Sequence, residues 1–268
     1  MDLEIYKKLN SLLIAKTSGI FGTIISESTE DLSRGTKFLV DDKGSLLEGD
    51  IPKDLLSLMK EPIQGVLAEN KARLLRLNYR EAQLQIFLDP IFPIARLIIL
   101  GGGHIALPLV RMGKLLNYEV TVVDDRPSFA NPGRFPEADV VLCQDFKSAI
   151  REISFDANSY VIIVTRGHRH DQTCLEEVLK KPQTAYTGMI GSRRKVATLL
   201  GNLREEGYSE DDLNKVYTPI GLDIGAQTPE EIAVSIMAEI IMVNRYGYSQ
   251  GLKSGRAERS RQGGIYLG

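Results

Sequence analysis

The sequence lacks what several protein classes require: its 268 residues include no tryptophan, two cysteines and three histidines. Cys143 and Cys174 cannot build a disulfide framework, so we expect a reducing compartment, the cytoplasm. No apolar run approaches the roughly 18 residues of a membrane span, and the acidic start at Met1–Glu4 is unlike a secretion signal. A formal net charge of −2 gives no reason to expect nucleic acid or an acidic membrane as a partner.

The first 92 residues predict a small α+β domain. Apolar residues at helical spacing predict a helix over residues 3–16 and another over 55–59. Short apolar runs bounded by turn residues predict strands, at 19–28, 36–40, 45–47, 72–79 and 82–88. Asp89-Pro90 and Phe92-Pro93 interrupt this pattern, because proline disfavours helix before it and cannot donate to a strand ladder. We therefore expect a domain boundary between residues 92 and 93.

Beyond residue 93, short runs of β-branched residues alternate with helical stretches. The runs lie at 97–100, 120–123, 140–142, 161–164 and 186–190. Such runs are typical of parallel strands that are buried on both faces, and the helical stretches between them supply the crossovers. Residues 93–248 therefore predict an α/β fold, a Rossmann-like doubly wound parallel sheet. Residues 249–268 are polar, rich in glycine and basic, which predicts a flexible tail.

A glycine-rich turn follows the first of these strands. Its residues are Gly101, Gly102, Gly103, His104, Ile105 and Ala106, the pattern G-x-G-x-x-A. Gly101 permits a tight turn, and Gly103 lets backbone N–H groups approach a pyrophosphate at the start of the next helix. Asp124 ends the next strand about 20 residues later, where it could accept a ribose hydroxyl, whereas Arg126 could meet a 2′-phosphate. A turn that serves folding alone is the alternative.

A loop rich in histidine and arginine follows the strand at 159–164. Its residues are Thr165, Arg166, Gly167, His168, Arg169, His170 and Asp171. Ligands of open α/β sheets lie at this end of the strands. The two arginines suit phosphate or carboxylate, the two histidines could transfer protons, and Asp171 is the expected N-cap of the next helix. A solvated basic loop is the alternative. A metal site of His168, His170 and Cys174 matches no standard zinc spacing, so no metal is expected.

Two later loops complete the candidate site. In the first, at residues 190–195, Ser192 is the expected N-cap of a helix that begins with Arg193, Arg194 and Lys195. Cations at a helix N-terminus oppose the helix dipole, and a bound anion would relieve that conflict. The second holds Asp223 between glycines, and Thr228-Pro229-Glu230-Glu231 after it predicts a capping box. On the following helix Glu239 could be a buried functional acid, but we expect it on a solvated face. The candidate cofactor-binding residues are Gly101, Gly102, Gly103, His104, Ile105, Asp124, Arg126, Thr165, Arg166, His168, His170, Gly191, Ser192, Arg193 and Asp223. No catalytic residue is assigned.

Seven segments in order resemble the XdhC/CoxI family, accessory factors that mature molybdenum hydroxylases such as xanthine dehydrogenase. They are residues 101–104, 122–127, 134–136, 165–171, 190–195, 219–225 and 228–236. The resemblance covers residues 95–245. In the N-terminal domain the family usually carries Gly-Gly-Cys and Cys-Gly-Gly elements. Glu48-Gly49-Asp50 and Arg80-Glu81-Ala82 stand there without cysteine, so this domain diverges.

The resemblance implies a function that the residues alone do not. It implies binding of molybdenum cofactor (molybdopterin), its protection during sulfuration and its delivery to an apo molybdenum hydroxylase. It also implies a homodimer and a cysteine desulfurase as a further partner. The anionic end of the cofactor would lie on the turn at Gly101–Ile105, with Arg166, Arg169 or Arg193 nearby. An NAD(P)-dependent oxidoreductase, or a nucleotide-binding sensor, could use the same Rossmann site and is the alternative.

Overall fold

The computed structural model describes residues 2–26, 32–182 and 184–246, without the side chains of Asp2, His168 and Tyr246. The expected tail at 249–268 lies outside the described residues. Within these ranges no helix has both the length and the apolar character needed to cross a membrane. The chain forms two compact units, one up to Ile94 and one from Ala95 onward.

The first unit is a five-stranded antiparallel sheet with two helices, which confirms the α+β prediction. Its elements are α1 (Asp2–Ile14), β1 (Gly19–Ile24), β2 (Lys37–Asp41), β3 (Leu46–Glu48), α2 (Lys53–Glu69), β4 (Arg73–Tyr79) and β5 (Ala82–Ile91). The strands lie in the order β3-β2-β1-β5-β4. Helix α2 buries Leu55, Met59, Ile63 and Val66 at helical spacing against the sheet. This periodicity carries α2 well past the expected 55–59.

Strand β5 corrects a second expectation, because Asp89-Pro90 does not end it. The strand runs to Ile91, and Pro90 pairs with Ile20 of β1. On the other side, β4 begins at Arg73, which pairs with Leu88. Pro90 therefore lies beyond the end of β4, where β5 has a partner on one side only, and proline is tolerated at such positions.

The second unit contains a six-stranded parallel sheet. Its elements are β6 (Arg96–Leu100), α3 (Ala106–Leu115), β7 (Glu119–Asp124), β8 (Val140–Cys143), α4 (Phe146–Glu152), β9 (Ser159–Ile163), α5 (His168–Leu179), β10 (Tyr186–Met189), α6 (Arg193–Glu205), α7 (Glu210–Asn214), β11 (Val216–Tyr217) and α8 (Pro229–Tyr246). The strand order is β11-β10-β9-β6-β7-β8, and every described pair is parallel. Counted from β6, this is the Rossmann order 3-2-1-4-5-6. The predicted fold class is confirmed.

Both faces of this sheet are buried, which explains the continuous apolar strands. On β6, Leu97 and Ile99 pack towards α3 and α8, whereas Ile98 and Leu100 pack towards α4, α5 and α6. The chain leaves β6 towards β7 on one side and reaches β9 on the other. The strand order therefore reverses between β6 and β9, and open α/β sheets bind ligands in the crevice at this point, at the carboxyl ends of the strands.

Candidate ligand-binding site

The glycine turn after β6 and the loop after β9 touch each other at this crevice. Gly101 has a φ of +116°, and a Cβ there would collide with the carbonyl oxygen of Val164 and lie 3.0 Å from the Cα of Thr165. Only glycine satisfies both the positive φ and the close approach. The Gly101 N–H donates to the carbonyl of Val123 at 2.8 Å, which fixes the turn to β7 as well. Two of the predicted loops are thus brought together.

Gly103 is the open position of the turn. A Cβ at Gly103 would meet nothing within 4 Å, whereas one at Gly102 would collide with the carbonyl oxygen of Phe129. Helix α3 begins directly after this turn, and its N-cap residue, Ile105, provides no side-chain hydrogen bond. The N–H groups of its first turn have no partners within the helix, and the helix dipole adds a partial positive charge there. The side of Gly103 on which a Cβ would stand is therefore open space next to the start of α3.

Helix α5 begins in the same way on the other side of the crevice. Its N-cap is Gly167, which has no side chain to cap it. The other helices that the structure describes in this unit begin at side-chain caps: Asp145 for α4, Ser192 for α6, Ser209 for α7 and Thr228 for α8. The two helices that begin at the crevice thus differ from their neighbours in having no side-chain cap.

Asp171 is not the N-cap of α5, so that prediction is wrong. The Asp171 N–H donates to the carbonyl of Gly167 at 3.1 Å, a bond that closes the first helical turn on Gly167. Asp171 lies within that turn, buried, and its carboxylate accepts a hydrogen bond of 2.5 Å from the hydroxyl of Thr165. Thr165, a predicted site residue, is thereby fixed to the helix start.

Asp124 is the centre of a buried hydrogen-bond network. The residue is 1% exposed, and its Oδ2 accepts from the Gly102 N–H at 2.9 Å. Oδ1 accepts from Arg126 Nε at 2.8 Å, and Oδ2 also accepts from Arg126 Nη2 at 3.0 Å. Burial alone would raise the pKa of this carboxyl, but the hydrogen bonds from Arg126 and Gly102 outweigh it and hold the pKa below its ordinary value. Asp124 is therefore an ionised group that positions the glycine turn.

Arg134 supports the same turn from outside. Its Nε donates to the carbonyl of Gly102 at 3.0 Å, and its Nη2 lies 3.5 Å from the carbonyl of Gly103. The Arg134 guanidinium also lies 5.1 Å from the ring centre of Phe129. Arg134 was not among the predicted site residues, and only its place in the segment that resembles the XdhC/CoxI family pointed to it.

An ion pair crosses the crevice. Arg166 donates from Nη1 and Nη2 to the two carboxylate oxygens of Asp125, at 2.7 and 2.8 Å. Asp125 follows β7 and Arg166 follows β9, and β6 lies between these two strands. The pair therefore spans the carboxyl end of β6, where the glycine turn begins. Asp125 was not predicted, because no local pattern identifies the partner of Arg166.

The described side chains of His104, His170 and Cys174 lie in different surroundings. His104 is exposed, and the ring of His170 makes an edge contact with Phe146, with 5.6 Å between ring centres. The side chain of His168 lies outside the described part of the chain. Cys174 is fully buried, and burial raises the pKa of its thiol far above the usual range. Among the side chains that the structure describes, no group of three or more histidine, cysteine or acidic residues is placed to hold a metal ion.

A match to a protein-family model shows which family this chain belongs to. The model described as the XdhC Rossmann domain matches residues 97–240, more than half of the sequence. The chain belongs to this family. The resemblance to XdhC/CoxI proteins that the sequence predicted is thereby confirmed for the Rossmann domain.

Relatives of this XdhC Rossmann domain come from several bacteria. An uncharacterised protein of Escherichia coli K12, YqeB, is 29% identical over 205 residues, which are 75% of this chain and 37% of that protein. A protein of Bacillus subtilis 168, named as a probable xanthine dehydrogenase subunit, is 29% identical over 184 residues, 69% of this chain and 53% of that protein. The chain thus spans about a third to a half of the length of the curated relatives it matches.

A solved structure shares the fold of both units. A protein of Bacillus halodurans described as a xanthine dehydrogenase superposes with a TM-score of 0.53 at 21% identity. The match covers 91% of this chain and 96% of that one. At this identity the likeness shows the fold alone.

The remaining predicted residues of the XdhC domain lie further along the sheet. Ser192 caps α6, since its hydroxyl accepts from the Lys195 N–H at 3.4 Å, as predicted. Gly191, Ser192 and Arg193 follow β10, one strand beyond β9, and Ser192 and Arg193 are exposed. Asp223 is an exposed residue of the loop after β11, a further strand away. These residues share the ligand edge of the sheet with the crevice but lie beside it.

Glu239 corrects the expectation of a solvated face. It is 3% exposed, and its Oε2 accepts from the Tyr186 hydroxyl at 2.5 Å and from the Gly221 N–H at 2.9 Å. Helix α8 buries a face wider than its apolar stripe, because Ser235 is buried beside Glu239 and donates to the carbonyl of Leu222 at 2.6 Å. This carboxylate therefore fastens the loop that carries Asp223 to α8 and β10.

Proposed function

We propose that this protein is an accessory factor that binds molybdenum cofactor and supports its maturation and insertion into a xanthine dehydrogenase-type molybdenum hydroxylase. Membership of the XdhC family supports an accessory role. The name of the B. subtilis relative, which refers to xanthine dehydrogenase, supports a client of that type. The cofactor is cargo in this proposal, to be held and passed on.

The two helix N-termini without side-chain caps support this proposal most directly. Molybdenum cofactor is a pterin with a dithiolene and a phosphate, so its phosphate needs several hydrogen-bond donors. The starts of α3 and α5 supply backbone donors on both sides of the crevice. Each helix contributes about 0.3–1 kcal/mol to the binding of an anion at its N-terminus. The open space at Gly103 lets the phosphate reach them.

Within this site some residues would bind the cofactor and others would support the glycine turn. Gly103 and the first turn of α3 would hold the phosphate, and Asp124 and Arg134 would keep the glycine turn in shape. Arg166 would exchange Asp125 for an anionic group of the cargo, since guanidinium binds carboxylate and phosphate with the same two-point geometry. When bound, the cofactor supplies its molybdenum and dithiolene to the client, and the chain itself contributes binding and shielding from water.

The burial of Cys174 speaks against this residue as a sulfur carrier. A thiolate is the nucleophile in sulfur transfer, and burial of Cys174 raises the pKa of its thiol, which disfavours the thiolate. We propose that a partner such as a cysteine desulfurase, and not Cys174, supplies the sulfur to the bound cofactor. The chain would hold the cofactor while the sulfur arrives from outside.

Purification without oxygen from a molybdenum-replete host tests the proposal. Mass spectrometry and pterin fluorescence on the released small molecules are expected to show a pterin–molybdenum species near one per chain. The loaded protein, mixed with an apo xanthine dehydrogenase, should raise its activity, whereas protein from a molybdenum-depleted host should not. Release of a nicotinamide nucleotide in place of the pterin would contradict the proposal.

A further inference from the structure

A dinucleotide site in a Rossmann fold has two halves, and in this chain they differ. The pyrophosphate lies at the start of the first helix, and the ribose of the nucleoside bonds to an acid at the end of the second strand. Here the helix start is open at Gly103, whereas the acid, Asp124, is 1% exposed. The half that would hold the pyrophosphate is therefore open, whereas the half that would hold the nucleoside is covered by the chain itself.

The hydrogen-bonding capacity of Asp124 is already used. Its two oxygens accept from the Gly102 N–H and from three donors of Arg126, namely the backbone N–H at 3.1 Å, Nε and Nη2. An ionised carboxylate offers about four acceptor sites. A ribose hydroxyl could bond to Asp124 only if Arg126 withdrew.

The chain also fills the space beside Gly102. The carbonyl of Phe129 lies so close that a Cβ at Gly102 would collide with it. The guanidinium of Arg126 covers the Phe129 ring, 3.6 Å from its centre, as a cation–π pair. A short turn holds this arrangement, because the N–H groups of Phe129 and Ala130 donate to the Arg126 carbonyl at 2.9 Å. On the other side of Gly102, Arg134 Nε donates a hydrogen bond to the Gly102 carbonyl.

The charges oppose a 2′-phosphate at the same place. Arg126 lies between two carboxylates, with Nε at 2.8 Å from Asp124 and 3.9 Å from Asp125. These two carboxylates already neutralise the charge of Arg126, and they would repel a phosphate that approached it. NADP has no better access to this half of the site than NAD.

We propose that Arg126 and Phe129 close the nucleoside half of this Rossmann site. The site then takes a small ligand with one terminal phosphate, such as a pterin phosphate, and excludes dinucleotides. The excluded class covers NAD(P) and a nucleotide-extended form of the pterin cofactor. The identity of the accepted ligand rests on the proposed function, whereas the exclusion rests only on the contacts of Asp124 and Asp125 with the loop at 126–135.

Isothermal titration of the full chain with three probes tests the closure. The probes are ADP-ribose, NAD⁺ and a pterin that carries a single phosphate. The wild-type protein should bind the pterin phosphate at least about tenfold more tightly than ADP-ribose or NAD⁺. Arg126→Ala and Arg126→Ala/Phe129→Ala should gain ADP-ribose affinity by roughly tenfold or more, because Asp124 then has free oxygens for the ribose hydroxyls. Arg204→Ala is the matched control, since Arg204 is an exposed arginine on α6 that pairs with Glu210.

Each outcome decides between closure and an open dinucleotide site. Thermal unfolding identifies the variants that fold. If Arg126→Ala does not fold, Arg126→Met takes its place, because methionine removes the side-chain donors to Asp124 but keeps an apolar chain beside the Phe129 ring. Wild-type protein that binds ADP-ribose or NAD⁺ as tightly as the pterin phosphate would overturn the proposal. So would folded variants whose ADP-ribose affinity is unchanged. Wild-type protein that binds none of the probes would count against the proposed function, and the gain in the variants would still decide the closure.

Discussion

Arg166 and Asp125 form a two-point ion pair across the carboxyl end of β6, from loops that follow two different strands. Both side chains are partly exposed, at 38% and 25%. Exposed pairs of this kind contribute about 0–1 kcal/mol to stability, so the pair matters little for folding. Its position in front of the glycine turn gives it a place in ligand binding.

The two variants of this pair should differ in ligand retention. Asp125→Asn frees Arg166 for an anion, so the amount of pterin that remains bound through gel filtration should rise or hold. Arg166→Ala removes the cation, and retention should fall by roughly tenfold, the value of a charge-assisted hydrogen bond. Urea unfolding should change by less than about 1 kcal/mol in both variants. If both variants lose retention equally, the pair is a structural brace and the assigned role of Arg166 is wrong.

Because of Asp124, the unfolding free energy of the second unit should decrease as the pH falls into the acid range. Its pKa is lowered in the folded protein, so its contribution is complete above the unfolded pKa of about 3.9 and is lost as pH falls through the folded pKa. Asp124→Asn removes this term, and its unfolding free energy should fall less steeply below about pH 4 than that of the wild type. Chemical unfolding at a series of pH values measures the two slopes. Asp211→Asn is a suitable control for the loss of one negative charge, because Asp211 is an exposed residue of α7 in the same unit. Parallel curves for wild type and Asp124→Asn would contradict the account.

Glu239 should be structural through its hydrogen bonds. Glu239→Ala takes away the acceptor of the Tyr186 hydroxyl and the Gly221 N–H, which we expect to cost about 2–4 kcal/mol of unfolding free energy. Glu239→Gln keeps one oxygen that can accept from both, so it should cost less than half as much. Urea unfolding of both variants gives the comparison. Equal losses would mean that the negative charge, and not the acceptor, holds the loop.

Local features of the fold and site could be predicted from the sequence, because their partners lie a few residues apart. The serine cap at Ser192, the Thr228–Glu231 capping box and the glycine turn are all of this kind. The β-branched runs likewise indicated strands buried on both faces. Each of these signals depends on chemistry within one turn or one strand.

The supports of the glycine turn could not be predicted, because their partners are distant in the sequence. Arg134 and Gly102 are 32 residues apart, and Arg166 and Asp125 are 41 apart. Tyr186 and Glu239 are separated by 53 residues. These contacts depend on which strands are neighbours in the sheet. A single sequence predicts the fold class but not which distant side chains then meet. The start of α5 was misplaced for a local reason, since Asp171 has the chemistry of a cap but Gly167 closes the turn.

Gly103→Asp compared with Gly201→Asp tests the central claim, that an anionic pterin binds at the start of α3. Both glycines face open space, so both variants should fold, and Gly201 lies on α6, away from the crevice. Pterin content after purification without oxygen should fall in Gly103→Asp by roughly tenfold or more, because a carboxylate beside the phosphate costs over about 1.4 kcal/mol. Gly201→Asp should keep the wild-type content. Equal pterin content in the two variants would show that the cofactor binds elsewhere or that this chain does not bind it.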